Sequence, residues 1–356
     1  MKKTLLAAFL FFTAVMLIAF PDIGEEAVRN SMTTAVRSVI PSLFSFMVLS
    51  DIIISSDIIS EKSRLLSPIA KILNIPKSGA AVFILGNLSG FPVGARVAAR
   101  QCERGLITPW EAARLAVISN NVSTAFVISF VGAELLGSRT IGVTMYLCQL
   151  LAAITVGIVL GFFSKRKKSP VKTPVTEEQV EKTPGIFVRA VNDAATACLG
   201  ISAFIVIFGV ISSYAKVILE KCLSLPSALT AVITSFLEIS NGCISSSSLT
   251  YPTSVAVCAF AIGFSGISVL CQSSMFLKRV GVPLLPIAAA KVLQGILTAV
   301  LTLIAVEKFN VSSEVSVTVG EHSNTVTCIF SLCAAAILGV YLLHRVKSAL
   351  QMRHCT

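Results

Sequence analysis

The stretch LGNLSGFPVGAR, Leu85–Arg96, interrupts one of the most apolar parts of the chain and decides how the fold is built. It places Gly86, Gly90 and Gly94 around Pro92 in a short run. Glycine and proline destabilise helix interiors, and a backbone exposed to lipid has no water with which to pair. The stretch therefore predicts a buried break between two helices.

The composition identifies the class of protein. Of 356 residues, 54% are hydrophobic and 13% are charged, and the mean hydropathy is +0.85. Soluble domains carry about 25% charged residues, so we predict an all-α polytopic membrane protein. At ~20 residues per span, about eight transmembrane helices and two re-entrant hairpins fit the apolar segments. The net charge of +11 is assigned to cytoplasmic loops and not to nucleic-acid binding, because the basic residues cluster beside apolar runs.

Cysteine, histidine and the known catalytic motifs indicate no reactive centre. The ten cysteines are scattered singly, and the three histidines, His322, His344 and His354, lie in or beside predicted loops. The sequence contains no HExxH or GxSxG motif and no paired catalytic aspartates. We therefore predict no cofactor, no metal and no enzymatic activity.

Positive charge predicts the orientation in the membrane. The basic linker (164–186) and the basic tail after His344 are expected in the cytoplasm, and the loop from Glu307 to His322 is expected outside. The predicted spans are 4–20, 36–56, 110–136, 140–163, 187–213, 253–277, 283–306 and 327–344. Two shorter apolar pieces, 79–104 and 227–242, are predicted to be re-entrant hairpins, since Lys77 and Arg104 flank the first piece and both fit the cytoplasmic side.

The chain divides into two similar halves. SLFSFMVLSD resembles GISAFIVIFG, LGNLSG resembles LEISNG, and ISNNVSTAF resembles SVLCQSSMF. The predicted segments are an N-terminal, signal-like membrane helix (1–34), a first repeat (35–163), a cytoplasmic linker (164–186), a second repeat (187–306), and an outer loop, last helix and basic tail (307–356). The charge pattern orients the halves oppositely, as in secondary transporters whose substrate site lies between broken helices at the membrane midplane.

The break in the first hairpin is a candidate anion site. A helix from about Pro92 to Glu103 begins with free N–H groups and the positive end of its dipole. The alternative is close helix packing through the evenly spaced glycines. The candidate site residues of this hairpin are Asn87, Ser89, Gly90, Pro92, Val93 and Gly94.

Arg96, Arg100 and Arg104 share one face of the helix that follows the break. Arg96 either belongs to a basic path that draws anions toward the hairpin tip, or extends its charged end to the membrane surface. Both interpretations stay open from the sequence.

Polar residues inside other apolar segments complete the candidate site. Asn120 and Asn121 lie within a predicted span, where they are expected to hydrogen-bond a substrate or a neighbouring helix. Glu238 is an isolated acid, which is a functional candidate by default. Glu238 is predicted either to bind a coupling proton or cation, or to cap the hairpin structurally. Three neighbours of Glu238 in LEISNG are also candidate site residues: Ser240, Asn241 and Gly242. Gln272 and Ser273, which match the two asparagines in the second half, complete the set.

Asn120, Asn121, Gln272, Ser273 and Glu238 are expected to border one cavity. Three further acids, Asp51, Glu134 and Asp193, lie near predicted helix ends and are expected to be solvated.

These motifs resemble one known family. SLFSF, NLSGFPVGARVA and the run GLIT-x-x-EAARL leading into SNN, with LEISNG and FSGISVLCQSS in the second half, resemble the sporulation integral membrane protein family of the YlbJ type. That family carries nucleoside-recognition (Gate) domains and is distantly similar to concentrative nucleoside carriers. The resemblance implies a transporter-like protein of the mother-cell membrane, including the outer forespore membrane, with dipicolinate as the proposed cargo.

The expected partners are a small anionic substrate, a coupling proton or cation, and the lipid bilayer. A non-transporting spore-envelope assembly protein and a nucleoside-type carrier remain as alternative functions. The sequence leaves open whether the chain forms a homo-oligomer.

Overall fold

A computed structural model describes residues 11, 13–55, 66–162, 183–309 and 311. Every regular element in these residues is helical, which confirms the predicted all-α membrane protein. The start of the first predicted span, most of the linker, most of the outer loop, the span 327–344 and the basic tail lie outside the described residues.

The first half begins with helices joined by a π-helical turn and ends in a long helix. Its helices are α1 (Pro21–Thr34), α2 (Ile40–Ser55), α3 (Ser67–Ile72), α4 (Lys77–Ser89), α5 (Val93–Glu103), α6 (Pro109–Ile118), α7 (Ala125–Leu135) and α8 (Arg139–Phe162). Helix α7 has π-helical hydrogen bonding.

The second half repeats this order of a hairpin, a broken helix and a long helix. Its helices are α9 (Thr183–Val217), α10 (Ser227–Leu237), α11 (Ile239–Ser247), α12 (Thr253–Phe264), α13 (Gly266–Leu277) and α14 (Leu284–Lys308). A 3₁₀ turn, Lys278–Val280, follows α13.

Long apolar helices form the frame of the bundle. Among the described residues, four helical segments are long and apolar enough to cross a membrane: Arg139–Phe162, Gly185–Cys222, Thr253–Val280 and Leu284–Lys308. They overlap the predicted spans 140–163, 187–213, 253–277 and 283–306, although the segment over 253–277 is interrupted at Ser265. Helix α14 packs against α12 and α8, and α9 packs against α1 and α2.

Two pairs of short helices form hairpins where the sequence predicted them. Helices α4 and α5 have 13 and 11 residues, and α10 and α11 have 11 and 9. At about 1.5 Å per residue, none of the four reaches across a hydrocarbon core of about 30 Å. Within each pair the two helices pack against each other. Their re-entrant placement in a bilayer stays a prediction.

The predicted spans 110–136 and 253–277 are each broken, which corrects the expectation of continuous helices. The first break separates α6 from α7 at residues 119–124, where short polar side chains compete with the helical backbone hydrogen bonds. The second break lies between α12 and α13, where Ser265 and Gly266 both have positive φ angles, 72° and 82°.

The motif pairs that suggested the repeat do not fall at equivalent places. LGNLSG ends α4, whereas LEISNG holds the break itself and the first turn of α11. Likewise, ISNNVSTAF contains the first-half break, whereas SVLCQSSMF lies inside α13. Both halves have the same order of helices. The residue alignment proposed from the sequence, however, does not bring the breaks of the two halves to matching positions. The inverted relation of the two halves stays a prediction.

The glycines of the opening stretch pack the hairpin against the first-half break. A Cβ atom added at Gly94 would overlap the carbonyl of Ser119, and one added at Gly86 would overlap the same carbonyl and Gly94 Cα. These contacts support the packing interpretation for Gly86 and Gly94. Helix α6, which leads to this contact, begins with a capping box formed by Thr108 and Glu111.

Gly94→Ala should lower the thermal midpoint of the purified protein, by the equivalent of about 1–3 kcal/mol, because only backbone stands in the way of the added methyl group. Gly200→Ala is the matched control in α9, since its Cβ would meet only the flexible end of the Met275 side chain. Thermal unfolding in a neutral detergent measures both. Equal midpoints for the two variants would show that the contact at Ser119 is loose.

Candidate functional site

The turn of the first hairpin meets the first-half break directly. The Phe91 N–H donates to the Asn121 carbonyl at 2.8 Å. Gly90 has a φ of +83°, and a Cβ at this position would lie 2.9 Å from Ser123 Cβ. Glycine is therefore required at Gly90 by the backbone conformation and by the close approach of Ser123.

The other residues of the turn build the start of α5. Pro92 precedes the helix, and the Val93 N–H donates to the Gly90 carbonyl at 3.1 Å. Ser89 is buried, and its hydroxyl has no partner among the described residues. The anion-binding role predicted for this turn remains a prediction.

Two buried asparagines pair the polar groups that the break leaves free. Asn121 Nδ2 donates to Asn87 Oδ1 at 2.7 Å and to the Ile118 carbonyl at 2.9 Å. Asn87 Nδ2 donates to the Phe83 carbonyl at 2.8 Å and to the Ile118 carbonyl at 3.2 Å. Buried backbone carbonyls need such donors, especially where no water is present. The two amides therefore hold the hairpin and the break as one unit.

A buried lysine that the sequence analysis did not single out lies at the same place. Lys291 on α14 is 1% exposed. Its Nζ donates to the Asn120 carbonyl at 3.2 Å, to Asn121 Oδ1 at 3.1 Å and to Gln294 Oε1 at 3.2 Å. Gln294 Nε2 donates to Asn121 Oδ1 at 2.7 Å. A single lysine in the apolar run of α14 was the available signal, since charged residues inside membrane helices are functional candidates.

Asn120 connects the break to α13 in the second half. Its Nδ2 donates to Ser273 Oγ at 2.8 Å, so two of the residues expected to share a cavity are in contact. Gln272 Nε2 donates to Ser268 Oγ at 3.3 Å. The amide oxygens of Asn120 and Gln272 are buried and have no partner among the described residues.

Glu238 occupies the start of α11. Its carboxylate accepts hydrogen bonds from the Ser240 N–H at 3.0 Å and from the Asn241 N–H at 2.8 Å. This geometry is that of a helix N-cap and supports the structural alternative for Glu238. Gly242 packs against Ser235, with no room for a side chain. Coupling of a proton or cation at Glu238 stays a prediction.

In the second half, the hairpin tip at Glu238 also contacts the break between α12 and α13. The site at which Gly266 would carry a Cβ lies 3.4 Å from the Leu237 carbonyl and 3.5 Å from Glu238 Cα. Each half therefore brings the tip of its hairpin against the break of the following helix.

Arg96 is buried inside the bundle and paired with an acid, unlike an arginine whose charged end is exposed. It is 6% exposed, and its Nη2 forms an ion pair of 2.5 Å with Asp51, which is 1% exposed. Arg100 contacts the other Asp51 oxygen at 2.7 Å and Asp193 at 3.3 Å. The expectation that Asp51 is solvated is therefore wrong, because two arginines from α5 hold it inside the bundle. Glu134 is exposed, as expected.

Helices that stop at a buried polar centre inside an all-helical bundle define a polytopic integral membrane protein. One curated relative is the sporulation integral membrane protein YlbJ of Bacillus subtilis strain 168. It is 26% identical over 333 residues, and the match covers 84% of this chain and 82% of the relative. The match confirms the resemblance to proteins of the YlbJ type that the motifs indicated.

No family model and no solved structure matches the chain. The similarity to Gate domains and nucleoside carriers stays a prediction.

Asn121→Ala should lower the thermal midpoint strongly, because it leaves donors on Lys291 and Gln294 and an acceptor on Asn87 without partners. Each unsatisfied buried group costs about 1–3 kcal/mol. Asn192→Ala, at an exposed position of α9, is the control. Unfolding of both variants in detergent measures the difference, and an Asn121→Ala midpoint equal to that of the control would mean that the amide cluster does not hold the break.

Proposed function

We propose that this protein transports a small organic anion across a membrane of the sporulating cell, with dipicolinate moving from the mother cell toward the forespore as its cargo. The name of the Bacillus subtilis relative describes that protein as a sporulation integral membrane protein, and the resemblance of the motifs implies dipicolinate. The proposed location is the mother-cell membrane, including the outer forespore membrane. The proposal assigns no catalytic role to any residue.

The observation that carries this proposal is the buried side-chain nitrogen of Lys291. Its three partners, the Asn120 carbonyl, Asn121 and Gln294, are all neutral oxygens, and no carboxylate binds it among the described residues. A buried ammonium without a counter-charge is costly. An anion that enters the polar centre would reduce this cost, whereas a neutral or cationic cargo would not.

Two buried hydroxyl groups lie in the first hairpin and in the first-half break, which contains two of the residues that bind Lys291. Ser89 ends α4 and Ser119 follows α6, and neither hydroxyl has a partner among the described residues. A hydroxyl group can donate a hydrogen bond, and a carboxylate only accepts. These serines supply donors of the kind that an anionic substrate requires.

Lys291→Gln should reduce dipicolinate uptake into proteoliposomes at least about tenfold, because a contact with a buried charge contributes about 1.5–3 kcal/mol. Lys308→Gln removes an exposed lysine from the end of the same helix and should leave uptake unchanged. Circular dichroism of both purified variants checks that the helices are retained.

The same assay separates the alternative functions. A spore-envelope assembly protein gives no dipicolinate flux above empty liposomes in the wild type. A nucleoside-type carrier transports uridine in preference to dipicolinate and is insensitive to Lys291→Gln. Either result, or normal dipicolinate uptake by Lys291→Gln, would contradict the proposed function.

A further inference from the structure

A cavity with charged walls lies apart from the polar centre, between the two halves. It has a volume of about 220 Å³ and is lined by residues of α5, α9 and α13, with Arg279 from the turn after α13. Sites for drug-sized ligands have volumes of about 300–1,000 Å³. The cavity is thus large enough for a small organic or inorganic ion.

Three of the charged residues that line this cavity are arginines, and two are acids. Arg96, Arg100 and Glu103 come from α5, Asp193 comes from α9, and Arg279 comes from the turn after α13. Arg279 is exposed and has no hydrogen bond or ion pair with any described residue. Arg279 is therefore available to a ligand.

Asp51 pairs with Arg96 and Arg100, the two arginines on the inner side of α5, but does not use all of their N–H donors. Its two oxygens are divided between Arg96 and Arg100, so that each guanidinium makes one contact with it. Arg96 Nη1 is buried and has no partner among the described residues. Arginine pairs best with a carboxylate or phosphate through two parallel hydrogen bonds. Arg96, which lines the cavity, thus retains a guanidinium donor that no described residue uses.

We propose that this cavity binds a small anion with carboxylate or phosphate oxygens through Arg96 and Arg279, and that Asp51 competes with the ligand for the inner arginines. Glu103 and Asp193 oppose the anion, which limits the affinity and keeps binding reversible. Anion binding at this cavity does not depend on transport activity, but its use as an entrance for cargo rests on the proposed function.

Malonate and inorganic phosphate are the probes, added to the full-length protein in neutral detergent and followed by isothermal titration against chloride at matched ionic strength. The wild type should bind at least one of them. Arg279→Gln should weaken binding about tenfold, because a charge-assisted contact is lost. Asp51→Asn should strengthen it about tenfold, since the internal competitor is removed. Arg139→Gln, at an exposed arginine outside the cavity, should change nothing.

The proposal is overturned if neither probe binds the wild type, or if Arg279→Gln binds as tightly as the wild type. Should Asp51→Asn not fold, the comparison of the wild type with Arg279→Gln decides alone.

A lipid phosphate has the same chemistry as the soluble probes. Nanodiscs with neutral or anionic lipids therefore form a parallel arm of the experiment. Retention of anionic lipid that depends on Arg279, without any response to malonate or phosphate, would overturn the assignment to a soluble anion. Malonate or phosphate binding in a protein that shows no dipicolinate flux would refute the proposed function and leave the cavity site intact.

Discussion

The structure depends on pairing the backbone polar groups where helices stop inside the bundle. A membrane offers no water to an open helix end, so each break needs donors and acceptors from the protein itself. In the first half these are the amides of Asn87 and Asn121 and the backbone contact between Phe91 and Asn121. In the second half the carboxylate of Glu238 pairs the first N–H groups of α11. The two halves meet the same constraint with different chemistry.

The two halves are also joined by polar contacts at separate places. Lys291 and Ser273 of the second half hold Asn120 and Asn121 of the first. The second link is the ion pair between Arg100 and Asp193 beside the cavity. A motion of one half against the other has to break or exchange these bonds. An alternating-access motion, as predicted from the repeat, would have to exchange these bonds for others.

Much of this arrangement could be predicted from local patterns in the sequence. Glycine and proline density marked the hairpin turn at Gly90 and Pro92, and the paired asparagines marked a polar site within a predicted span. The break at Asn120 and Asn121 itself was not predicted, because the apolar residues on both sides read as one continuous span. The partners of the polar groups could not be predicted, because Lys291 and Asp51 reach the site from helices distant in the sequence.

The residue register of the repeat failed for a related reason. Short motifs such as LEISNG match by composition, whereas the break is set by the contact that each hairpin makes with the next helix. The second half makes that contact through Gly266, which lies before the segment matched to the asparagines. Packing between elements, which a single sequence does not display, determines where each helix ends.

The central claim is that the positive charge of Lys291 attracts an anion to the first-half break. Asn121→Asp tests it most directly, because it places a carboxylate where Asn121 Oδ1 now lies, 3.1 Å from Lys291 Nζ. Because the substitution also removes the Asn121 Nδ2 donor to Asn87, Asn121→Ala is the control. The account predicts that folded Asn121→Asp takes up dipicolinate at least about tenfold more slowly than folded Asn121→Ala, since only the carboxylate neutralises the charge of Lys291. Uptake at the wild-type rate by a folded Asn121→Asp protein would contradict the account.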